Sequence, residues 1–227
     1  MNKLLLLSTQ RSGSTMVCED IANTGVLGRP SEYFSSLADN FKRFETTGAL
    51  SEAFEASLMK GFVEKTNSNS VKIMQSQIGA IGKILIDTGK VQSFSHKSAF
   101  VEFFKPYYWA RIVREDKVAQ AVSRVVARHT DVYHRVAEDS AVKDLLGKFS
   151  TQERQDEHLV YNETEISLEI EKIEQEELFL DALIREHDID VFEIIYEKVV
   201  NDRSYVNSLV KNITGKKLVE ELTPRSL

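Results

Sequence analysis

The chain has little of what marks extracellular, metal-clustered or membrane-spanning proteins. Its 227 residues include one cysteine, Cys18, which excludes an intramolecular disulfide and any cysteine-rich metal site. No apolar run approaches the roughly 20 residues of a membrane-spanning helix. Lys3 precedes only a short leucine run, Leu4 to Leu7, too brief for the apolar part of a secretory signal, and no small-residue cleavage pattern follows. These absences predict a cytoplasmic protein without stable membrane insertion. No low-complexity linker and no internal repeat is visible. At 42% hydrophobic and 28% charged, the composition is that of an ordinary globular protein, and the length suits one domain over residues 1–227.

An excess of positive charge is also missing. The net charge of −6 argues against nucleic acid as the main partner. That charge is unevenly placed. Residues 153–190 hold fourteen acidic side chains and three basic ones, a balance of −11 that leaves +5 on the rest of the chain. The acidic stretch, about 151–188, carries Ile166, Ile170, Ile173, Leu180 and Ile184 at helical spacing and predicts a helical segment with a solvated acidic face. The remainder can host an anionic ligand.

Leu4 to Leu7 form a short apolar run of the kind a buried parallel strand shows. Further strands are predicted at 71–74, 107–113 and 191–196, and helices at 14–24, in two pieces over 36–66, in pieces over 77–105, at 117–129 and near 204–213. In the helix over 117–129, Asp116 suits the N-cap and Val118, Val122, Val125 and Val126 suit the apolar side. Cys18 falls in the first helix as a small packed residue. Alternating strands and helices predict an α/β fold with a central, mostly parallel sheet flanked by helices.

Between the first strand and first helix runs Ser-Thr-Gln-Arg-Ser-Gly-Ser-Thr, residues 8–15. A strand, a tight polar loop and a helix start are the parts of an anion cradle, because loop N–H groups and the positive helix end converge there. Arg11 adds a forked cation suited to phosphate or sulfate. The loop lacks the glycine and lysine of a Walker A sequence, and no cysteine stands ahead of Arg11 as in a phosphatase loop. Gly13 is its only glycine, so it is no dinucleotide fingerprint either. A second cation, Arg114, ends the third strand, and Ser123 follows nine residues later in the next helix. In a parallel sheet both strand ends open on one edge. Two anion sites there suit a ligand with phosphates at both ends of a nucleoside; the alternative for Arg114 is an ion pair with Glu115 or Asp116.

Taken together, Thr-Gln-Arg-Ser-Gly-Ser-Thr, Gly28-Arg-Pro-Ser-Glu-Tyr-Phe34, Val71-Lys-Ile-Met74 with Gln77, and Arg114-Glu-Asp-Lys-Val-Ala-Gln-Ala-Val-Ser123 resemble the bacterial trehalose-type sulfotransferases. Ala127, Thr130, Tyr133-His134, Val160-Tyr161, Glu174-Gln-Glu and Ile194-Ile-Tyr-Glu197 extend the likeness along nearly the whole chain.

The resemblance implies a P-loop-like sulfotransferase fold and sulfuryl transfer from 3′-phosphoadenosine 5′-phosphosulfate (PAPS) to a hydroxyl of a carbohydrate or other small metabolite, with no metal. It implies that Thr9, Gln10, Arg11, Ser12, Gly13, Ser14 and Thr15 hold the 5′-phosphosulfate and that Arg114 and Ser123 hold the 3′-phosphate. Glu32 matches the general base, and Arg11 would stabilise charge in the transition state. Lys72 is a contact to acceptor or sulfate, or a structural surface lysine. Glu32 has an alternative as a surface or capping carboxylate, and His129 and His134 read as polar caps. The chain departs from the family pattern at Gln75 and Tyr133, where the family has tryptophan, and only Arg225-Ser226 represents a C-terminal arginine-rich segment. All three departures fall where the acceptor would lie. Family members can pair through helices, so a homodimer is compatible with the resemblance. Two other classes stay open: a degenerate P-loop kinase-like protein and a non-catalytic nucleotide-binding protein.

Overall fold

The computed structural model describes residues 1–130, 162–218 and 222–225. Five strands, β1 (Asn2–Ser8), β2 (Phe62–Val63), β3 (Ser68–Met74), β4 (Tyr108–Val113) and β5 (Val191–Ile195), form one sheet in the order β2-β3-β1-β4-β5. β3, β1, β4 and β5 run parallel, and β2 is antiparallel to β3. β1 sits at the centre because Leu4 to Leu7 can be covered on both faces at once. Leu5 and Leu7 enter one core with Val71, Ile73, Phe100 and Trp109. Leu4 and Leu6 enter the other with Val17, Ile21, Ala110 and Ile112.

Helices cover both faces. The Leu5/Leu7 side is closed by α2 (Ser35–Asn40), α3 (Thr47–Met59), α4 (Ile78–Asp87), α5 (His96–Phe104) and the end of α7 (Glu163–Glu186). The Leu4/Leu6 side is closed by α1 (Ser14–Asn23), α8 (Tyr196–Val199) and α9 (Tyr205–Thr214). α6 (Lys117–Thr130) packs on α7, with Ala121, Val125, Ile166 and Ile173 between them. The expected α/β architecture is therefore present. β2 lies inside the stretch expected to be helical over 36–66: the helix ends at Met59, and pairing with β3 makes Phe62 and Val63 a strand although two residues carry no periodicity.

Two expectations are corrected. The buried side of α6 is not its valine stripe: Val118 and Val122 are exposed, while Gln120, Ala121, Arg124, Val125 and Ala127 are buried. That face meets the β1–α1 loop and α7, where polar donors are needed more than apolar bulk. The acidic face of α7 is likewise not simply solvated. Glu165, Glu169, Glu176 and Glu177 pair with Arg124, Arg128 and Lys117 of α6, and Asp181 pairs with Arg111 of β4. Two helices of opposite charge neutralise one another along this seam. Hydrogen bonds from Arg128 and Lys172 outweigh the burial of Glu169 and hold its carboxyl below the usual range. The expected helix from Thr151 is described only from Glu163; residues 151–161, Tyr133, His134, Val160, Tyr161 and Ser226 lie outside the described residues.

The segment carrying Glu32 is pinned along its length. Arg29 N–H donates to Gly61 O at 3.2 Å, Lys72 N–H to Ser31 O at 3.1 Å, and Phe34 is fully buried in the core. Gly28 has φ 91°, and a side chain there would meet Gly61 O at 2.8 Å, so the close approach of this segment to β3 requires glycine.

Candidate active site

The C-terminal ends of β1, β3, β4 and β5 converge on a cavity of about 570 Å³. That volume lies in the range of small-molecule sites, roughly 300–1,000 Å³. Its wall includes Gln10, Arg11, Gly13, Ser14 and Thr15 of the loop, with Glu32, Arg114 and Ser123. The separately predicted residues are thus brought to one place. Thr9 and Ser12 stand behind the loop instead: both are buried, Thr9 Oγ1 accepts from Gln120, and Ser12 Oγ donates to Thr9 O.

The loop has the backbone of an anion cradle. Arg11 and Gly13 both adopt left-handed conformations, with φ of 60° and 85°. No side chain caps α1, so the N–H groups of its first turn are not taken up by a capping group at Gly13. A Cβ on Gly13 would lie 2.1 Å from Tyr196 Cδ2, so this turn requires glycine for contact as well as for φ.

Arg11 Nε donates to Ser123 Oγ at 2.8 Å, linking the two candidate anion sites directly. Arg114 Nη1 donates to Arg11 O at 3.2 Å, and its guanidinium lies 4.8 Å from the centre of the Tyr196 ring. Arg114 Nε is buried with no hydrogen-bond partner among the described residues. An orphaned arginine donor beside a cradle of this kind fits a doubly anionic ligand. The alternative of an ion pair with its sequence neighbours is not what the structure holds. Asp116 instead caps α6 through Ala119 N–H, and Glu197 accepts from the N–H groups of Glu115 and Asp116 at 3.0 and 3.1 Å. Burial alone would raise the Glu197 carboxyl, but these N–H bonds outweigh it and hold it below the usual range.

Glu32 does not cap a helix through its side chain. Its Oε1 lies 2.7 Å from Lys72 Nζ, and its Oε2 accepts from Ser35 Oγ at 3.2 Å. Ser35 Oγ accepts in turn from Gln77 Nε2 at 2.9 Å, and Gln77 Oε1 accepts from Met74 N–H at 3.1 Å. The carboxylate is therefore oriented through both oxygens while about a third of the side chain remains exposed. Lys72 is no surface residue: it is buried and also donates to Ser14 Oγ at 3.2 Å. Cys18 packs nearby in α1, where burial pushes its thiol up to about 11, with Lys72 opposing and Glu32 adding to the shift. His129 pairs with Glu165 of α7 at 3.0 Å and does not line the cavity.

Several wall and support residues have no donor-site role in the sequence reading, where Arg225 figures only as the remnant of a C-terminal arginine-rich segment. Tyr196 lay within a matching block but had no role, and only its contact with Gly13 and Arg114 gives it one. Arg225 lines the cavity and is held by buried Asp20 at 2.6 and 2.9 Å and by the carbonyls of Val199 and Val200. Gln120 and Arg124 support the loop from α6. No sequence spacing connects any of these to the loop.

A central parallel sheet with an anion-cradling loop at the end of β1, and a second cation, Arg114, just past the end of β4 on the same cavity, defines an α/β protein built to bind an anionic ligand. The sequence model of the Stf0 sulphotransferase family matches residues 3–224, and the chain belongs to that family. It is thereby a sulfotransferase, an enzyme of sulfuryl transfer. No curated protein matches the chain. Among the described residues no helix is long and apolar enough to cross a membrane, and no group of three His, Cys, Asp or Glu is placed to hold a metal ion.

Proposed function

We propose that this sulfotransferase takes its sulfuryl group from PAPS and delivers it to a hydroxyl of a carbohydrate or other small metabolite. The observation that carries the donor assignment is the joined pair of cations, Arg11 on the cradle and Arg114 with its orphaned Nε, on one cavity wall. The loop from Gln10 to Thr15 and Arg11 hold the phosphosulfate end, and Arg114 with Ser123 holds the 3′-phosphate. Tyr196, Val200 and Arg225 line the same cavity and leave room for the nucleoside.

PAPS supplies an activated sulfuryl group on a good leaving phosphate. Glu32 accepts the proton of the attacking hydroxyl as the new oxygen–sulfur bond forms and the sulfur–oxygen bond to the phosphate breaks. Arg11 and the N–H groups at the start of α1 stabilise the negative charge that grows on the leaving side. Lys72, beside both Glu32 and Ser14, keeps the base next to the cradle. Ser35 and Gln77 fix the second carboxylate oxygen.

The test uses Glu32→Gln with Arg11→Ala and Arg114→Ala. Each arginine variant is expected to weaken adenosine 3′,5′-bisphosphate binding by tenfold or more, on the order of one charge-assisted hydrogen bond. Glu32→Gln is expected to lower turnover by roughly 10²- to 10⁴-fold with bisphosphate affinity nearly unchanged. Unaltered affinity in both arginine variants rejects the donor site, and full activity in Glu32→Gln rejects the base. ATP turnover that needs magnesium would instead support the kinase-like alternative.

A further inference from the structure

Three consecutive carbonyls of the β1–α1 loop are each held by a side chain, the first two by residues that do not line the cavity. Thr9 O accepts from Ser12 Oγ at 2.9 Å. Gln10 O accepts from Gln120 Nε2 at 2.7 Å and from Arg124 Nε at 3.1 Å, and Arg11 O accepts from Arg114 Nη1 at 3.2 Å. In a trans peptide the N–H points opposite to the C=O, so a carbonyl held behind the loop aims the next N–H forward. The Gln10–Arg11 peptide is the most heavily held of the three. It also precedes the residue at φ 60°, a conformation that a non-glycine residue keeps only when its surroundings enforce it.

The enforcing groups come at a cost to the interior of α6. Gln120 is fully buried, and because Gln10 O can only accept, the amide nitrogen must face it. That leaves Gln120 Oε1 buried without a hydrogen-bond partner among the described residues, a destabilising arrangement that packing alone would not favour. Arg124 is buried too and is fixed by a two-pronged contact to Glu176 of α7 at 3.0 and 2.6 Å. Neither Gln120 nor Arg124 lines the cavity.

We propose that Gln120 and Arg124, the latter locked by Glu176, are positioning residues that hold the Gln10–Arg11 peptide with its N–H toward the cavity and so set the affinity of the loop for the donor's anionic groups. Without them the peptide turns over, relieves the left-handed Arg11 and presents a carbonyl oxygen to the anion. The acidic helix α7 thereby acts on the site through α6, at second hand. This inference rests on the donor-site reading above.

The experiment titrates adenosine 3′,5′-bisphosphate into the full-length chain by calorimetry, with urea unfolding measured on the same samples. Gln120→Met keeps the length of the side chain and removes both the donor and the orphaned oxygen. It is expected to weaken binding about tenfold or more while leaving the unfolding midpoint unchanged or raised. Glu176→Gln, at a partly exposed position, is expected to weaken binding severalfold. In turnover assays with PAPS, both variants raise the donor KM by a larger factor than they lower kcat. Gln120→Met binding as tightly as wild type overturns the inference and leaves the donor site standing. So does a loss of affinity matched by a lowered unfolding midpoint. Failure of the wild type to bind the bisphosphate overturns the donor site and the inference together.

Discussion

Replacing Gly13 with alanine perturbs the cradle at its tightest point, and two separable effects follow. The first is conformational: at φ 85° a Cβ meets the backbone of its own residue, at a cost of about 1–2 kcal/mol. The second is contact: the new Cβ would stand 2.1 Å from Tyr196 Cδ2 and 2.6 Å from Cε2, which forces the ring aside. Overpacking of this kind costs typically about 1–3 kcal/mol. The sum is a destabilisation of roughly 2–5 kcal/mol. Because the same ring faces the Arg114 guanidinium at 4.8 Å, moving it also disturbs the second anion site. Urea unfolding of Gly13→Ala, Tyr196→Ala and the double variant separates the effects in a double-mutant cycle. In the Tyr196→Ala background the contact is gone, so the Gly13→Ala penalty is expected to fall to the conformational part alone. The coupling should then be about 1–3 kcal/mol. Additive effects within about 0.3–0.5 kcal/mol would show that the ring does not oppose the loop, and the packing of α8 against the cradle would be wrong.

Other outcomes follow from the same geometry. Lys72→Met leaves Glu32 without its ammonium; since Glu32 keeps about a third of its side chain in solvent, the stability loss is expected to stay below the roughly 3–5 kcal/mol of a fully buried broken pair, read by urea unfolding. Gln77→Leu frees Ser35 and is expected to lower kcat severalfold with little change in bisphosphate affinity. Cys18 rises from 9.0 to about 11 on folding, so its contribution is fully present below pH 9 and is lost as pH climbs from 9 to 11. Cys18→Ala is expected to flatten the fall of stability in that window, and an unchanged slope would refute the burial of the thiol. Glu197 titrates below its usual 4.5, so its contribution is present above that value and is lost as pH falls through the lowered range; Glu197→Gln should remove that part of the acid sensitivity.

The leucine run over Leu4–Leu7 determined the central strand without help from the rest of the chain, because a strand covered on both faces needs apolar residues at every position. Gly13 and the hydroxyl-rich stretch around it likewise determined a turn into a helix, since few residues tolerate the required φ. Arg11, Arg114 and Ser123 were legible as separate candidates because parallel strands open at one edge, and Glu32 through the resemblance to the family. Their contacts were not legible. Arg11 to Ser123 spans 112 positions, and the support of Gln10 by Gln120 and Arg124 spans 110 and 114. Local pattern carries no information at such separations. The charge of α7 shows the limit most clearly: an acidic helix reads as solvated unless its partner is known, and its partner is the basic face of α6. Composition set which groups the chain owns. The sheet order and the packing of α6, α7 and α8 around the end of β1 decided which of them meet, because each meeting is the product of elements far apart in sequence brought within hydrogen-bond reach by burial of the two cores.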